Sequence, residues 1–166
     1  MKLTSAQAAK LLKKFNDERE ALLDAESRSC KFNAAVGEDP ETVRPAYNYG
    51  ETQKQIAELD GRIRALKHAL NVFNSTHKVP GFDMTVDEML VYIPQLTQTK
   101  QKLAEMRSHL PKSRVDTYGR MSNIIDYTYL NYSLDEVNED YTRVSDELYK
   151  AQLALDSFNN SEIFEF

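Results

Sequence analysis

The sequence predicts a mainly α-helical fold: four long helices in two duplicated helical hairpins, a coiled-coil-like bundle, with a small two-stranded β element. Two runs of apolar residues predict it, because each alternates spacings of four and three, and the second begins 85 residues after the first. This spacing places the side chains on one face of a helix. The runs are Thr52, Ile56, Leu59, Ile63, Leu66, Leu70 and Phe73, then Val137, Tyr141, Val144, Leu148, Ala151, Leu155 and Phe158.

Length and composition agree with a single helical domain, 1–166. The chain has 166 residues, of which 41% are apolar and 28% charged, and these fractions suit a globular or coiled-coil-rich protein. Only 5 Gly and 5 Pro argue against a β-sandwich, whose strands need frequent turns. The internal repeat is predicted to cover 3–76 and 84–161.

Capping residues predict where the other two helices begin. Thr4 and Gln7 form a capping-box pair before the first apolar stripe, and Thr85 and Glu88 form a second one. These starts lie 81 residues apart. The first helix is therefore expected to correspond to the third, and the second helix to the fourth.

The connections inside the hairpins predict the β element. Phe32, Ala34 and Val36 occupy alternate positions of residues 32–36, and residues 124–129 are rich in β-branched and aromatic side chains. Both segments occupy equivalent places in the repeat. We expect short strands that pair with each other across the pseudo-twofold axis, or with another subunit.

Motifs for catalysis or metal binding are not found in the sequence. The di-iron signature needs Glu three residues before His, but Ala65, Asn74 and Met106 precede His68, His77 and His109 at that distance. His77 and His109 are expected near helix C-termini, where a histidine favourably meets the helix dipole. No glycine-rich phosphate loop or nucleophile elbow is present. The sequence predicts no enzyme, no metal and no cofactor.

Charge and hydropathy constrain the partners. A net charge of −5 works against duplex nucleic acid, which needs clustered Lys and Arg. No segment reaches the ~20 apolar residues that span a bilayer, so a membrane partner is not expected. Cys30 is the only cysteine, and the N-terminus resembles no signal peptide. A cytoplasmic location is expected.

A tyrosine-rich segment is the candidate binding surface. Six of the nine tyrosines fall between Tyr118 and Tyr149, and alternation should place Tyr127 and Tyr129 on one face of a strand. One interpretation is an amphipathic cover over the end of the bundle. The other is a contact surface, for example a pocket that stacks a nucleotide base, completed by Cys30–Val36 of the other half. The candidate residues are Arg114, Tyr118, Arg120, Tyr127, Tyr129 and Tyr132.

The apolar C-terminus points to burial or association. Ile163, Phe164 and Phe166 either fold back on the bundle or dock on a neighbouring subunit. Together with the heptad spacing, they predict a homo-oligomer.

Several short motifs follow one another along the chain: the MKL start, the loop of Asn33, Ala34, Val36, Glu38, Asp39 and Pro40, the helix end at Phe73-Asn74-Ser75-Thr76, the helix start at Met84-Thr85, the Asp135-Glu136-Val137 segment, and the final Asn159-Asn160. Their order resembles the septicolysin-like family of small bacterial proteins. Phe73 replaces an aliphatic residue of the family pattern, and Asn159-Asn160 replaces Asn-Trp. The resemblance implies a helical fold and carries over no catalytic residues.

The resulting hypothesis is a non-enzymatic helical bundle that self-associates and binds a partner or ligand. One alternative is a protein that sequesters a small anionic ligand, such as a nucleotide, in pockets at subunit boundaries. Another, taken from the family label, is a cytolysin-like membrane-active protein.

Overall fold

The structure, a computed structural model, describes residues 1–115 and 125–166 and is mainly helical, as predicted. Its elements are β1 (Lys2–Thr4), α1 (Ser5–Ser29), α2 (Pro40–Val43), α3 (Tyr49–Thr76), α4 (Val86–Ser108), β2 (Lys112–Arg114), β3 (Tyr127–Tyr129), α5 (Leu134–Ser161) and β4 (Ile163–Glu165). The chain divides into two compact units. The first comprises Met1–His77 with Phe158–Phe166, and the second comprises Lys78–Ser157.

Both predicted capping boxes are present. The Thr4 hydroxyl accepts the backbone N–H of Gln7 at 3.2 Å, and the Gln7 side chain accepts the N–H of Thr4 at 3.0 Å. Thr85 and Glu88 make the same reciprocal pair at 3.2 and 2.7 Å. These side chains satisfy backbone donors that lack partners inside the helix. For this reason α1 begins immediately after Thr4, and α4 begins immediately after Thr85.

The helices follow the predicted offsets. The second and fourth predicted helices are α3 and α5, which are both 28 residues long and begin 85 residues apart, at Tyr49 and Leu134. The first and third are α1 and α4, which begin 81 residues apart. The connections between the paired helices differ in length, because one spans residues 30–48 and the other spans residues 109–133.

In the first unit, α1 and α3 pack antiparallel over a core of heptad residues. Arg19 of α1 pairs with Asp60 at 2.6 Å, and Glu26, further along α1, accepts a hydrogen bond at 2.7 Å from Gln53, which lies earlier on α3. The predicted stripe of α3 faces inward. Its buried members are Ile56, Leu59, Ile63, Leu66 and Phe73, and Ala8 and Phe15 of α1 are buried too.

In the second unit, α4 and α5 also run antiparallel. Tyr92 near the start of α4 donates a hydrogen bond to Glu147, whereas Arg107 near its end lies 4.2 Å from the ring centroid of Tyr141, which precedes Glu147 in α5. The heptad prediction for α5 is confirmed by burial. Its buried members in this unit are Val137, Val144, Leu148, Ala151 and Leu155, and Met89, Leu96 and Leu103 of α4 are buried too. Phe158, the last residue of the run, is also buried and belongs to the first unit.

The C-terminal segment folds back, which was one of the two predicted outcomes. β4 pairs antiparallel with β1, so that Thr4 lies opposite Ile163. The Phe164 ring is buried and its centroid is 5.2 Å from that of Phe73. The isolated bridge between Lys78 and Thr85 occupies the same positions of the repeat, since Thr85 is 81 residues after Thr4 and Ile163 is 85 after Lys78.

The predicted pairing of the two connections with each other is wrong, whereas the alternative, pairing with another subunit, stays a prediction. Residues 32–36 form no strand. Phe32 is their only partly buried side chain and Val36 is fully exposed, so the segment packs against no apolar surface that would stabilise a strand. β3 instead pairs with β2 of its own connection. Ile124, the first residue of the other predicted strand, lies outside the described residues.

The connection after α1 is held to that helix by a tyrosine. Tyr47 donates a hydrogen bond to Glu26 at 2.6 Å, and the carboxylate raises the pKa of Tyr47 to about 12. A raised pKa stabilises the fold below the ordinary tyrosine value of about 10, and this contribution is lost as the pH rises toward 12. In a titration of absorbance at 295 nm, Tyr47→Phe should therefore lower the amplitude of the component that titrates near pH 12. An unchanged amplitude of this component in Tyr47→Phe would contradict the assignment.

Candidate functional site

The hairpin of β2 and β3 presents two cations and two tyrosines on one face. Lys112 lies directly opposite Tyr129, and Arg114 lies directly opposite Tyr127. Residues opposite each other in an antiparallel pair project to the same side, as do alternate residues of one strand. We call these four residues the cationic tyrosine face. All of them are exposed.

The Lys112 ammonium group lies near both tyrosine rings. Its ammonium nitrogen is 4.1 Å from the ring centroid of Tyr127 and 5.4 Å from that of Tyr129, and the two centroids are 6.5 Å apart. A cation–π contact at an exposed site contributes about 0.5–1 kcal/mol. The tyrosines nevertheless remain 46% and 63% exposed, so both rings can contact a second molecule.

The sequence located part of this face. It predicted that Tyr127 and Tyr129 share one side, which the strand register and the ring contact confirm. It also included Arg114, but it missed Lys112. The alternation of Lys112 and Arg114 around Ser113 was the available signal, and it acquires meaning only when the pairing of β2 with β3 is known.

Tyr132 makes a different kind of contact. Its hydroxyl donates to the carbonyl of Met106 at 2.8 Å and lies 2.9 Å from Nδ1 of His109. A hydroxyl carries one proton, so Nδ1 of His109 must donate to the Tyr132 oxygen. Tyr132 is therefore hydrogen-bonded to the C-terminal end of α4, where His109 is the C-cap residue. His77 is the C-cap residue of α3. The predicted location of both histidines is confirmed.

Three other predicted components are not described at this site. Tyr118 and Arg120 lie outside the described residues. Cys30–Val36 belongs to the first unit, whereas β2 and β3 belong to the second, and its participation stays a prediction.

Open grooves of mixed charge are found among the described residues, and two of them show their character. One, of about 450 Å³, lies between α1 and α3, and its lining includes Leu22, Leu59, Glu18, Glu58 and Arg62. The other, of about 430 Å³, is lined by Gly81, Phe82, Arg143, Asp146, Glu147 and Lys150. Glu147 of the second groove accepts a hydrogen bond from the Tyr92 hydroxyl, and this hydrogen bond raises the pKa of Tyr92. In neither groove do charged side chains of one sign surround a common point.

The described residues contain no cluster of three or more His, Cys, Asp or Glu side chains that could hold a metal ion. Within the same residues, no helix combines the length and apolar character required to cross a bilayer.

The comparisons with known proteins show the fold alone. No protein-family model matches the chain, and no curated protein matches it in sequence. It is similar in structure to a functionally unknown conserved protein from Corynebacterium diphtheriae, with a TM-score of 0.64 and 17% sequence identity. The similarity covers 99% of this chain and 100% of the other, so it extends over the whole helical architecture.

Proposed function

We propose that this chain is a non-enzymatic helical protein that self-associates and binds an anionic partner or ligand on the cationic tyrosine face. The observation that carries the proposal is the exposure of Tyr127 and Tyr129 beside Lys112 and Arg114. Two large exposed rings beside a cation add little to the stability of a monomer, because an exposed cation–π contact contributes only about 0.5–1 kcal/mol. Tyrosine and arginine are enriched at protein interfaces because they combine apolar contact area with hydrogen-bonding groups.

The local charge favours an anion. The whole chain has a net charge of −5, but the four residues of the cationic tyrosine face carry two positive charges and no negative one. A local positive region on an acidic protein attracts anionic groups to one place while the rest of the surface repels them. An acidic peptide segment would meet both requirements of the face, a negative charge and apolar contact with the rings.

A nucleotide is the second candidate. A base can stack on an exposed tyrosine ring, and a phosphate can bind Lys or Arg nearby. Lys112 lies within cation–π distance of both rings, so a base on Tyr127 would place its phosphate near that ammonium group. This observation favours a small anionic ligand in which an aromatic group and a phosphate are adjacent.

The test is a binding titration with two defined probes, a fluorescein-labelled octaglutamate peptide and mant-ADP. We expect one of the probes to bind, and the double variants Tyr127→Ala/Tyr129→Ala and Lys112→Gln/Arg114→Gln to weaken that binding at least tenfold, about 1.4 kcal/mol. Fluorescence anisotropy measures the dissociation constants, and circular dichroism checks that the helices are retained.

The matched control is Tyr149→Ala/Lys150→Gln, which removes an exposed tyrosine and a cation from α5 in the same unit. Its affinity should equal that of the unmodified protein. If neither probe binds at millimolar concentration, or if the control weakens binding as much as the other variants, the cationic tyrosine face is not an anion-binding surface.

A further inference from the structure

The outer edge of β3 carries backbone groups that β2 does not use. The N–H of Val115 donates to the carbonyl of Asp126 at 2.9 Å, and the N–H of Leu130 donates to the carbonyl of Pro111 at 3.3 Å. Hydrogen-bonded and non-hydrogen-bonded pairs alternate along an antiparallel ladder. The pairs Arg114–Tyr127 and Lys112–Tyr129 are therefore non-hydrogen-bonded, and the backbone N–H and C=O groups of both tyrosines point away from β2.

The two edges of this hairpin are not equally protected. β2 carries Lys112 and Arg114 and follows Pro111, and charges and proline are the devices by which edge strands avoid further pairing. β3 has the sequence Tyr-Thr-Tyr, which is uncharged and favourable for a strand. In the described part of the chain, the outward backbone groups of Tyr127 and Tyr129 have no hydrogen-bond partner. The open edge is thus β3.

We propose that β3 pairs antiparallel with β3 of a second copy of this chain, with a twofold axis at Thr128. The inference rests on the self-association included in the proposed function and identifies its surface. In this register Tyr127 lies opposite Tyr129 of the partner subunit, and Tyr129 lies opposite Tyr127 of the partner subunit. Both are hydrogen-bonded pairs, so the outward N–H and C=O groups of the two copies satisfy one another. The product is a four-stranded sheet in which the β3 strands are central.

The charges of the two copies permit this arrangement. Adjacent strands lie about 4.8 Å apart, so the two β2 strands would be about 14 Å apart. The β2 backbones are thus separated by more than the Debye length of about 8 Å at physiological ionic strength, which weakens the repulsion between the two strands. The Lys112 ammonium group reaches toward β3, where it lies over the Tyr127 ring and is attracted by that ring. The four tyrosines meet on one face between the two pairs of cations, where cross-strand aromatic pairs stabilise the sheet. Association therefore joins the two cationic tyrosine faces into one surface.

A second copy suits this edge better than an unrelated strand. The contact is isologous, since the same three residues supply both sides, and a closed dimer satisfies the edge without leaving another β3 strand exposed. A partner strand of different sequence would gain the same backbone hydrogen bonds but would have no register set by the tyrosines.

The experiment is disulfide trapping at the twofold axis. In a Cys30→Ser background, Thr128→Cys would place two thiols in a non-hydrogen-bonded pair with Cα atoms about 4.5 Å apart, within the range for a disulfide. Ser113→Cys is the matched control, because Ser113 lies directly opposite Thr128 on the same face of the hairpin but on the outer strand. Under mild copper–phenanthroline oxidation, the Thr128→Cys protein should form covalent dimers at least tenfold faster than the Ser113→Cys protein.

Sedimentation of the unmodified protein over a concentration series distinguishes the two levels of the proposal. A monomer–dimer equilibrium with selective trapping at position 128 supports both. Self-association with equal or no trapping at positions 128 and 113 overturns the β3 pairing and leaves self-association standing. A monomer at every concentration up to about 1 mM overturns both.

Discussion

Replacing Leu66 with alanine is expected to lower the free energy of unfolding by about 2–5 kcal/mol. Leu66 is completely buried in the stripe of α3 and is one of the largest fully buried side chains among the described residues. Truncation removes apolar contacts and leaves a cavity that two packed helices can fill only in part. Urea unfolding followed by circular dichroism at 222 nm measures the change.

The control for this substitution is Val72→Ala on the same helix. Val72 is 47% exposed, so its truncation should change the free energy of unfolding by no more than about 0.5 kcal/mol. Equal losses for the two variants would contradict the burial of the heptad stripe. The repeat position of Leu66 is occupied by Ala151 in the second unit, which is also completely buried, so the two helical stripes pack side chains of different size.

Replacing Phe164 with alanine is expected to lower the free energy of unfolding by about 3–5 kcal/mol. Phe164 is the one buried residue of β4, and its ring lies near that of Phe73, which also contacts Phe158 at a centroid distance of 5.8 Å. Loss of this ring removes apolar burial and its contact with the Phe73 ring. Thermal and urea unfolding should both show the loss.

Ile163→Ala is the control for β4. Ile163 precedes Phe164 in the same strand but is 58% exposed, and its truncation leaves the pairing of β4 with β1 intact. We expect a change below about 0.5 kcal/mol. A larger loss for Ile163→Ala than for Phe164→Ala would mean that β4 presents its opposite face to the helices.

The two proposals concern the part of the molecule in which the hairpins differ. Their helices correspond in length and position, but only the connection between α4 and α5 contains a strand hairpin. The connection between α1 and α3 instead holds the short helix α2 and the hydrogen bond from Tyr47 to Glu26. A binding surface on β2 and β3 would therefore be present once in each chain. Pairing of two copies through β3 would relate their two surfaces by a twofold axis. The resemblance to the septicolysin-like family stays a prediction.

The sequence by itself determined the four long helices of this protein. Capping boxes and heptads act over three to seven residues, and each depends on contacts within one turn of a helix or along one of its faces. This is why Thr4 and Thr85 mark the helix starts, and why the residues of the two apolar runs identify the buried stripes.

The tertiary structure alone decided which strands pair. A three-residue strand has little preference of its own, and its stability comes from the partner that reaches it. β3 was expected from its composition, but β2 consists of Lys-Ser-Arg and carries no strand signal, so its pairing with Tyr127 and Tyr129 could not be predicted. For the same reason Lys112 was missed. Its place beside the two rings is set by cross-strand register, a relation between residues far apart in the sequence.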